Sequence, residues 1–278
     1  MNDLSIERQK INRKFSADGT TYTVSGELPS TLVFIHGVGM NAEVWQSQFN
    51  YFSGAYTVIA YDFLGHGDSP MPDENPTLDD YVGQLSRFCK ELRLESFSLV
   101  GHSMGALISV AFALKYPDKA SSLVAINIVY DRRQEDQCRV LARAEQVLES
   151  GEIGDIEPTL KRWFAGKNSP EEEHKIIRIN KWLKAVSPYG YGSAYRLFAL
   201  SDKAFMNKLS QLQMPVLYLT GNDDPNSTPA MSKKMAELTP RGEFYSIAKE
   251  AHMMAYIAPE KVNKIIEAFL NKHSQRND

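Results

Sequence analysis

The sequence predicts an α/β protein: a mostly parallel central sheet with helices on both faces and a helical cap inserted after the sixth strand. Three observations carry this. Short apolar runs of buried-strand type alternate with amphipathic helical patterns along most of the chain, and that alternation builds parallel sheets. One of these runs breaks at Gly101-His102-Ser103-Met104-Gly105 and resumes as a helix. Between residues 130 and 212 the alternation stops and only helical patterns remain.

The elements follow in order. Residues 9–27 read as a hairpin around Ala17-Asp18-Gly19, since Asp-Gly suits a tight turn. The run 31–35 is uniformly apolar, as a strand covered on both faces must be. It ends in His36-Gly37-Val38-Gly39, and a helix pattern spans 41–52. A second buried strand, 56–61, leads into the loop Asp62-Phe63-Leu64-Gly65-His66-Gly67-Asp68-Ser69-Pro70. Residues 77–92 read as a helix, with Thr77 as N-cap and Asp80 completing a capping box. Strand 97–100 and a helix from 104 to about 116 flank Ser103, and strand 123–126 follows. After the interruption come a strand at 216–220, a helix at 229–238, a short strand at 243–247 and a last helix at 259–272. The division is therefore a core of residues 1–129 and 213–278, with a cap of 130–212. An insertion between two such strands lies over their C-terminal ends, where ligands bind.

Bulk properties narrow the function. The net charge is −3, with no basic excess, which argues against nucleic acid as a partner. No apolar run approaches the ~20 residues of a membrane helix, and residues 1–8 lack a secretory core. A cytoplasmic location is the expectation. Cys89 and Cys138 show no motif and read as free thiols. The expected partner is a small-molecule substrate, without membrane or cofactor, and the chain is expected as a monomer or homodimer.

The chemistry centres on Ser103. Glycines at 101 and 105 permit a turn so tight that the serine backbone is strained, which lifts its hydroxyl clear of the sheet. The turn also aims the Met104 N–H, at a helix N-terminus, towards a carbonyl that the serine attacks. A glycine-flanked turn with a capping serine is the plain alternative, so a base, an acid and a second oxyanion donor are required. Of six histidines, His252 lies between the last short strand and the last helix, at the C-terminal edge of the sheet. An exposed loop histidine is its bland role. His102 adjoins Ser103, and strand alternation turns it away as a structural residue; His36 and His66 read as loop braces. The histidines have no metal-ligand spacing, and no metal is expected. Asp224 follows strand 216–220 and would orient His252 and stabilise its protonated form. Asp223 competes for that role, and either could cap a turn. The end of the preceding strand carries Asn127 in place of an acid. Val38, at a strand end, can supply the second oxyanion N–H. Gly37-Val38-Gly39 lacks the third glycine of a dinucleotide loop.

These five motifs, in this order, resemble the α/β-hydrolase superfamily across essentially the whole chain. The resemblance implies a Ser103–His252–Asp224 triad and an oxyanion hole from Val38 and Met104. Ala251 stands where that family often has glycine, and Ser103 argues against members with an aspartate nucleophile. Residues 131–208 hold fourteen Lys/Arg against twelve Asp/Glu, including seven arginines. Guanidinium binds carboxylates bidentately, so Arg132, Arg143, Arg162 and Arg178, with Trp163, are candidate substrate contacts. The alternative is a solvated, salt-bridged helical surface, which the run Glu171-Glu172-Glu173 surely is. Trp163, Phe164, Trp182, Tyr189, Tyr191, Tyr195 and Phe198 could line a pocket or pack the cap on the sheet.

The pattern is similar to small-molecule catabolic members of the family. The expected function is a serine hydrolase cleaving an amide, ester or enol-lactone bond of a carboxylate-bearing metabolite. The resemblance extends to hydrolases of N-acyl-aminomethylene succinates from pyridine-ring degradation, some of which carry the acid on the strand that here ends in Asn127. A general carboxylesterase, a carbon–carbon bond hydrolase, a cofactor-free perhydrolase and, outside enzymes, a ligand-binding receptor are the alternatives.

Overall fold

The computed structural model describes residues 12–167 and 169–274. Eight strands form one sheet in the order β1-β2-β4-β3-β5-β6-β7-β8. These are β1 (Lys14–Phe15), β2 (Thr21–Ser25), β3 (Thr31–Ile35), β4 (Thr57–Tyr61), β5 (Phe97–His102), β6 (Ala120–Ile126), β7 (Val216–Gly221) and β8 (Gly242–Ile247). From β4 to β8 all pairings are parallel; β2 is antiparallel to both its neighbours. The hairpin strand β1 is only two residues long, and residues 9–11 of the expected hairpin lie outside the described residues.

The core strands are buried along almost their whole length, because helices cover both faces of the sheet. Helices α1 (Gln46–Phe52) and α10 (Pro259–Ser274) pack against each other, as do α2 (Leu78–Glu91) and α3 (Met104–Lys115). Helix α3 is apolar almost all round, as its central place demands. Helix α2 starts at the expected cap: the Thr77 N–H and hydroxyl both donate to Asp80 Oδ2, each at 2.7 Å. The expected helix at 41–52 is split. It opens as a 3-10 turn, Ala42–Trp45, whose Asn41 side chain accepts from the Glu43 N–H, and only then becomes α1. Helix α8 (Pro229–Leu238) covers β7 and β8.

Between β6 and β7 come α4 (Gln134–Ser150), α5 (Glu157–Phe164), α6 (Pro170–Ala185) and α7 (Pro188–Leu200). Helices α4 and α7 pack on each other, and α7 also touches α3. One short helix was not foreseen, α9 (Met254–Ile257), which follows His252 directly. Four apolar residues are too short a run to show helical periodicity. Among the described residues no helix is long and apolar enough to cross a membrane.

Candidate active site

The sheet order places five strand ends side by side: β3, β5, β6, β7 and β8. Their continuations carry Gly37 and Val38, Ser103, Asn127, Asp224 and His252 respectively. Residues more than two hundred positions apart therefore meet at one edge.

Ser103 has φ 54° and ψ −115°, a backbone that side-chain-bearing residues rarely adopt. Its N–H donates to the Ile126 carbonyl at 2.9 Å, which ties the turn to the end of β6. The flanking glycines are steric requirements. A Cβ at 101 would lie 2.3 Å from the Gly105 oxygen, and one at 105 would lie 2.2 Å from the Ile35 oxygen. Met104 begins α3, so its N–H has no intrahelical partner.

The imidazole of His252 is buried. Its Nδ1–H donates to Asp224 Oδ2 at 2.8 Å, which leaves Nε2 as the basic nitrogen of the neutral ring. Asp224 also accepts from the Asn127 amide at 2.7 Å and from the Asn226 N–H at 2.9 Å. Burial alone would raise the pKa of this carboxyl. The neighbouring His252 and these hydrogen bonds outweigh burial and hold it below the usual carboxylate value. Asp223, the rival in sequence, is exposed, and among the described residues its backbone N–H donates to the Glu250 carbonyl while its side chain has no hydrogen-bond partner. Asn127 sits at φ 50°, where asparagine is among the most tolerant residues. The indole of Trp163 stacks on the His252 ring, with centroids 5.6 Å apart.

His102 is a correction. It does not turn away from the site: it lines the same cavity as Ser103, and its Nε2–H donates to the His252 carbonyl at 2.8 Å. Strand alternation failed because regular extended geometry ends at His102, and the next residue reverses the sign of φ. Burial pushes the pKa of His102 down to about 3, so the ring is a neutral strut under the His252 loop.

The loop containing Val38 is braced from the 62–69 loop. The Gly39 N–H donates to His66 Nε2 at 2.9 Å, the Phe63 N–H to His36 Nε2 at 3.3 Å, and the Ala42 N–H to Asp62 Oδ1 at 2.7 Å. Accepting at Nε2 requires both imidazoles to be neutral, and burial lowers the pKa of each, that of His66 to about 4.

Ser103 and His252 line one cavity, walled by residues of the core and of α4, α5 and α7. Val38, Met40, Thr159, Tyr191 and Phe198 contribute to its wall. The candidate arginines separate here. Arg162 lines the cavity, and among the described residues its side chain donates at 3.2 Å to the Thr159 hydroxyl. Arg132 also lines it, but is buried against Asp202, with a further bond to the Phe198 carbonyl at 3.0 Å. Arg143 lies in a wider adjoining groove that shares Arg132, Arg162 and Tyr195 with the cavity, and it donates to the Asp155 carbonyl at 3.1 Å. The structure does not bring Arg178 to the cavity. It is exposed, pairs with Glu43 at 3.0 Å and lies over the Trp182 ring. Counting charges cannot reveal such partners. Of the aromatics, Trp163, Tyr191, Tyr195 and Phe198 reach the cavity, whereas Phe164 is core and Trp182 packs on Tyr256. Among the described residues no cluster of His, Cys, Asp or Glu could hold a metal ion.

Comparison with known proteins follows the same lines. The chain is 41% identical to an (E)-2-((N-methylformamido)methylene)succinate hydrolase of Acinetobacter baylyi, over 86% of this chain and 89% of that one. It is 25% identical to 3-oxoadipate enol-lactonase 2 of the same organism, over 87% and 88%. Among solved structures, an enol-lactonase from Burkholderia xenovorans LB400 superposes with a TM-score of 0.85 at 22% identity, covering 93% of this chain and all (100%) of that one. An esterase from Thermogutta terrifontis gives a TM-score of 0.82 at 24% identity, covering 94% and 99%. The profile described as alpha/beta hydrolase fold matches residues 30–259, and with these relatives it establishes that the chain is a hydrolase belonging to the α/β-hydrolase family.

Proposed function

We propose that the protein hydrolyses an amide, ester or enol-lactone bond in a small dicarboxylate metabolite, with Ser103 as nucleophile, His252 as base and Asp224 as the acid that orients it. The Asp224–His252 hydrogen bond, in one cavity with Ser103, is the observation that carries this reading. His252 Nε2 takes the Ser103 proton as Oγ bonds to the substrate carbonyl carbon. The resulting oxyanion is held by the N–H groups of Val38 and Met104, each worth about 3 kcal/mol of barrier. The carbon–heteroatom bond then breaks, and the leaving group takes the proton from His252. Water attacks the acyl-enzyme as His252 accepts its proton; His252 then gives that proton to Ser103 Oγ as the acyl–oxygen bond breaks, which releases the carboxylic acid and restores both groups.

Helices α4 to α7 serve as a cap in this reading and select the substrate. Arg162 is the cavity-facing guanidinium without a carboxylate partner among the described residues, and so is suited to a substrate carboxylate. Arg143 and Arg132 extend the positive wall into the adjoining groove. The succinate skeleton named for the 41% relative supports a dicarboxylate. The test compares N-acyl-aminomethylene succinates, enol-lactone carboxylates and neutral aryl esters. The expected result is a kcat/KM at least about a hundredfold higher for the dicarboxylates, the scale of a buried charged recognition contact. A preference for neutral esters overturns the dicarboxylate assignment.

A further inference from the structure

We infer that Glu250 is a positioning residue, which with Lys167 couples the end of α5 to the loop that carries His252. The inference rests on the reading of His252 as the base. Glu250 lies two residues before His252 and is 1% exposed. A carboxylate that deep requires compensation, and it receives charge from two directions. Lys261, from α10 in the sheet-bound half, donates to Oε1 at 2.8 Å. Lys167, just past α5, approaches Oε2 at 3.0 Å as a charge contact without hydrogen-bond alignment. The Lys167 ammonium also lies 3.7 Å from Glu172 at the start of α6.

The same two segments meet twice more. The Met253 N–H donates to the Trp163 carbonyl at 3.2 Å, and the Trp163 ring stacks on His252. The stretch from Trp163 to Lys167 thus grips residues 250–253 by a backbone bond, a ring contact and a buried ion pair. Helix α5 meanwhile presents Thr159, Arg162 and Trp163 to the cavity. One short helix therefore touches both the substrate space and the base, and a displacement on one side is transmitted to the other. Glu250 is the charged anchor of that linkage, and Lys261 ties it to α10.

The experiment uses Lys167→Met, Lys167→Arg, Glu250→Gln and the double variant Lys167→Met/Glu250→Gln in the full chain. Turnover of a hydrolysed ester and the rate of fluorophosphonate labelling of Ser103 are read well below the melting temperature. Lys167→Met is expected to lower kcat and the labelling rate about tenfold or more, the scale of a misplaced catalytic group, with KM changing less. Lys167→Arg is expected to recover most of the loss. The double variant is expected to be no worse than Glu250→Gln alone, since both remove one interaction. Should Glu250→Gln fail to fold, Lys167→Met, changed at a partly exposed position, still decides. A folded Lys167→Met protein with wild-type kcat and labelling rate overturns the inference, as does a loss confined to KM. Activity that survives Ser103→Ala overturns the serine reading beneath it, and is recognised separately because labelling at residue 103 is then irrelevant to turnover.

Discussion

The two sides of the cavity are built differently. The side that holds Ser103, Asp224 and His252 consists of strand ends, where backbone hydrogen bonds fix each residue: Ser103 to Ile126, Asn127 to Leu219, Asp223 to Glu250. The facing side consists of helix surfaces, where long side chains decide the geometry and several of the arginines are taken by carboxylates. Arg132 goes to Asp202, Arg178 to Glu43, and Arg196 to Glu145. On the proposed function, the contrast separates reaction from recognition. A strand end holds a group to the tolerance that bond-making needs, and a helix surface can be re-lined by single substitutions.

That contrast can be broken by experiment. The largest effect is expected on the strand-end side. Ser103→Ala should lower kcat by at least about four orders of magnitude, the residual coming from binding and the oxyanion donors, with unchanged unfolding in urea. A wild-type rate would remove the strand ends from the chemistry.

On the helical side the arginines should behave unequally. Arg162→Met is expected to cost about a hundredfold in kcat/KM for a dicarboxylate and little for a neutral ester. Arg178→Met should leave kcat/KM within about twofold, because its exposed pair with Glu43 contributes under ~1 kcal/mol. Equal losses would make the helical side a uniform field of charge rather than a set of contacts.

The smallest difference concerns pH and stability, and it belongs to the strand-end side. His36, His66 and His102 are neutral in the folded protein because burial depresses their pKa values, to about 4 for His66 and about 3 for His102. The unfolded chain takes up these protons near pH 6.5. Their contribution to stability is therefore complete above that pH and is lost as pH falls towards the folded values. Between pH 7 and pH 5, His66 and His102 each cost on the order of 2 kcal/mol, and His36 acts in the same direction. Asp62 acts oppositely. Burial raises its pKa to about 6 against the pull of the Ala42 N–H and Arg13, so the folded state gains as Asp62 protonates. Urea unfolding at the two pH values should show a net loss at pH 5; equal stability would mean that the histidines are not held neutral.

The strand-end half was legible in the sequence because its constraints are local. Gly101 and Gly105 announce a turn with no room for side chains, Asp224 follows the apolar run of β7, and His252 lies between a short mixed strand and the last helix. Spacing from Gly221 favours Asp224 over Asp223, and the structure buries Asp224 against His252 while Asp223 is exposed. His102 was misread because alternation was extended one residue beyond the strand. Glu250 and Lys167 carried no signal, since their pairing spans two elements with no shared pattern. The helical half was legible as helices and as an excess of charge. Which arginine stays free for a ligand depends on where the carboxylates of other helices end up.

Asn127 has a consequence for where a charge can stand at this edge. It directly follows β6, one strand nearer to Ser103 than β7, which precedes Asp224, and the two side chains are one hydrogen bond apart. An amide and a carboxylate in that contact are nearly isosteric, so exchanging them preserves both volume and total charge. The edge of this sheet therefore offers two neighbouring addresses for a single negative charge. On the proposed reading of Asp224 as the acid, the exchange Asn127→Asp with Asp224→Asn tests whether that charge can serve His252 from the neighbouring strand end.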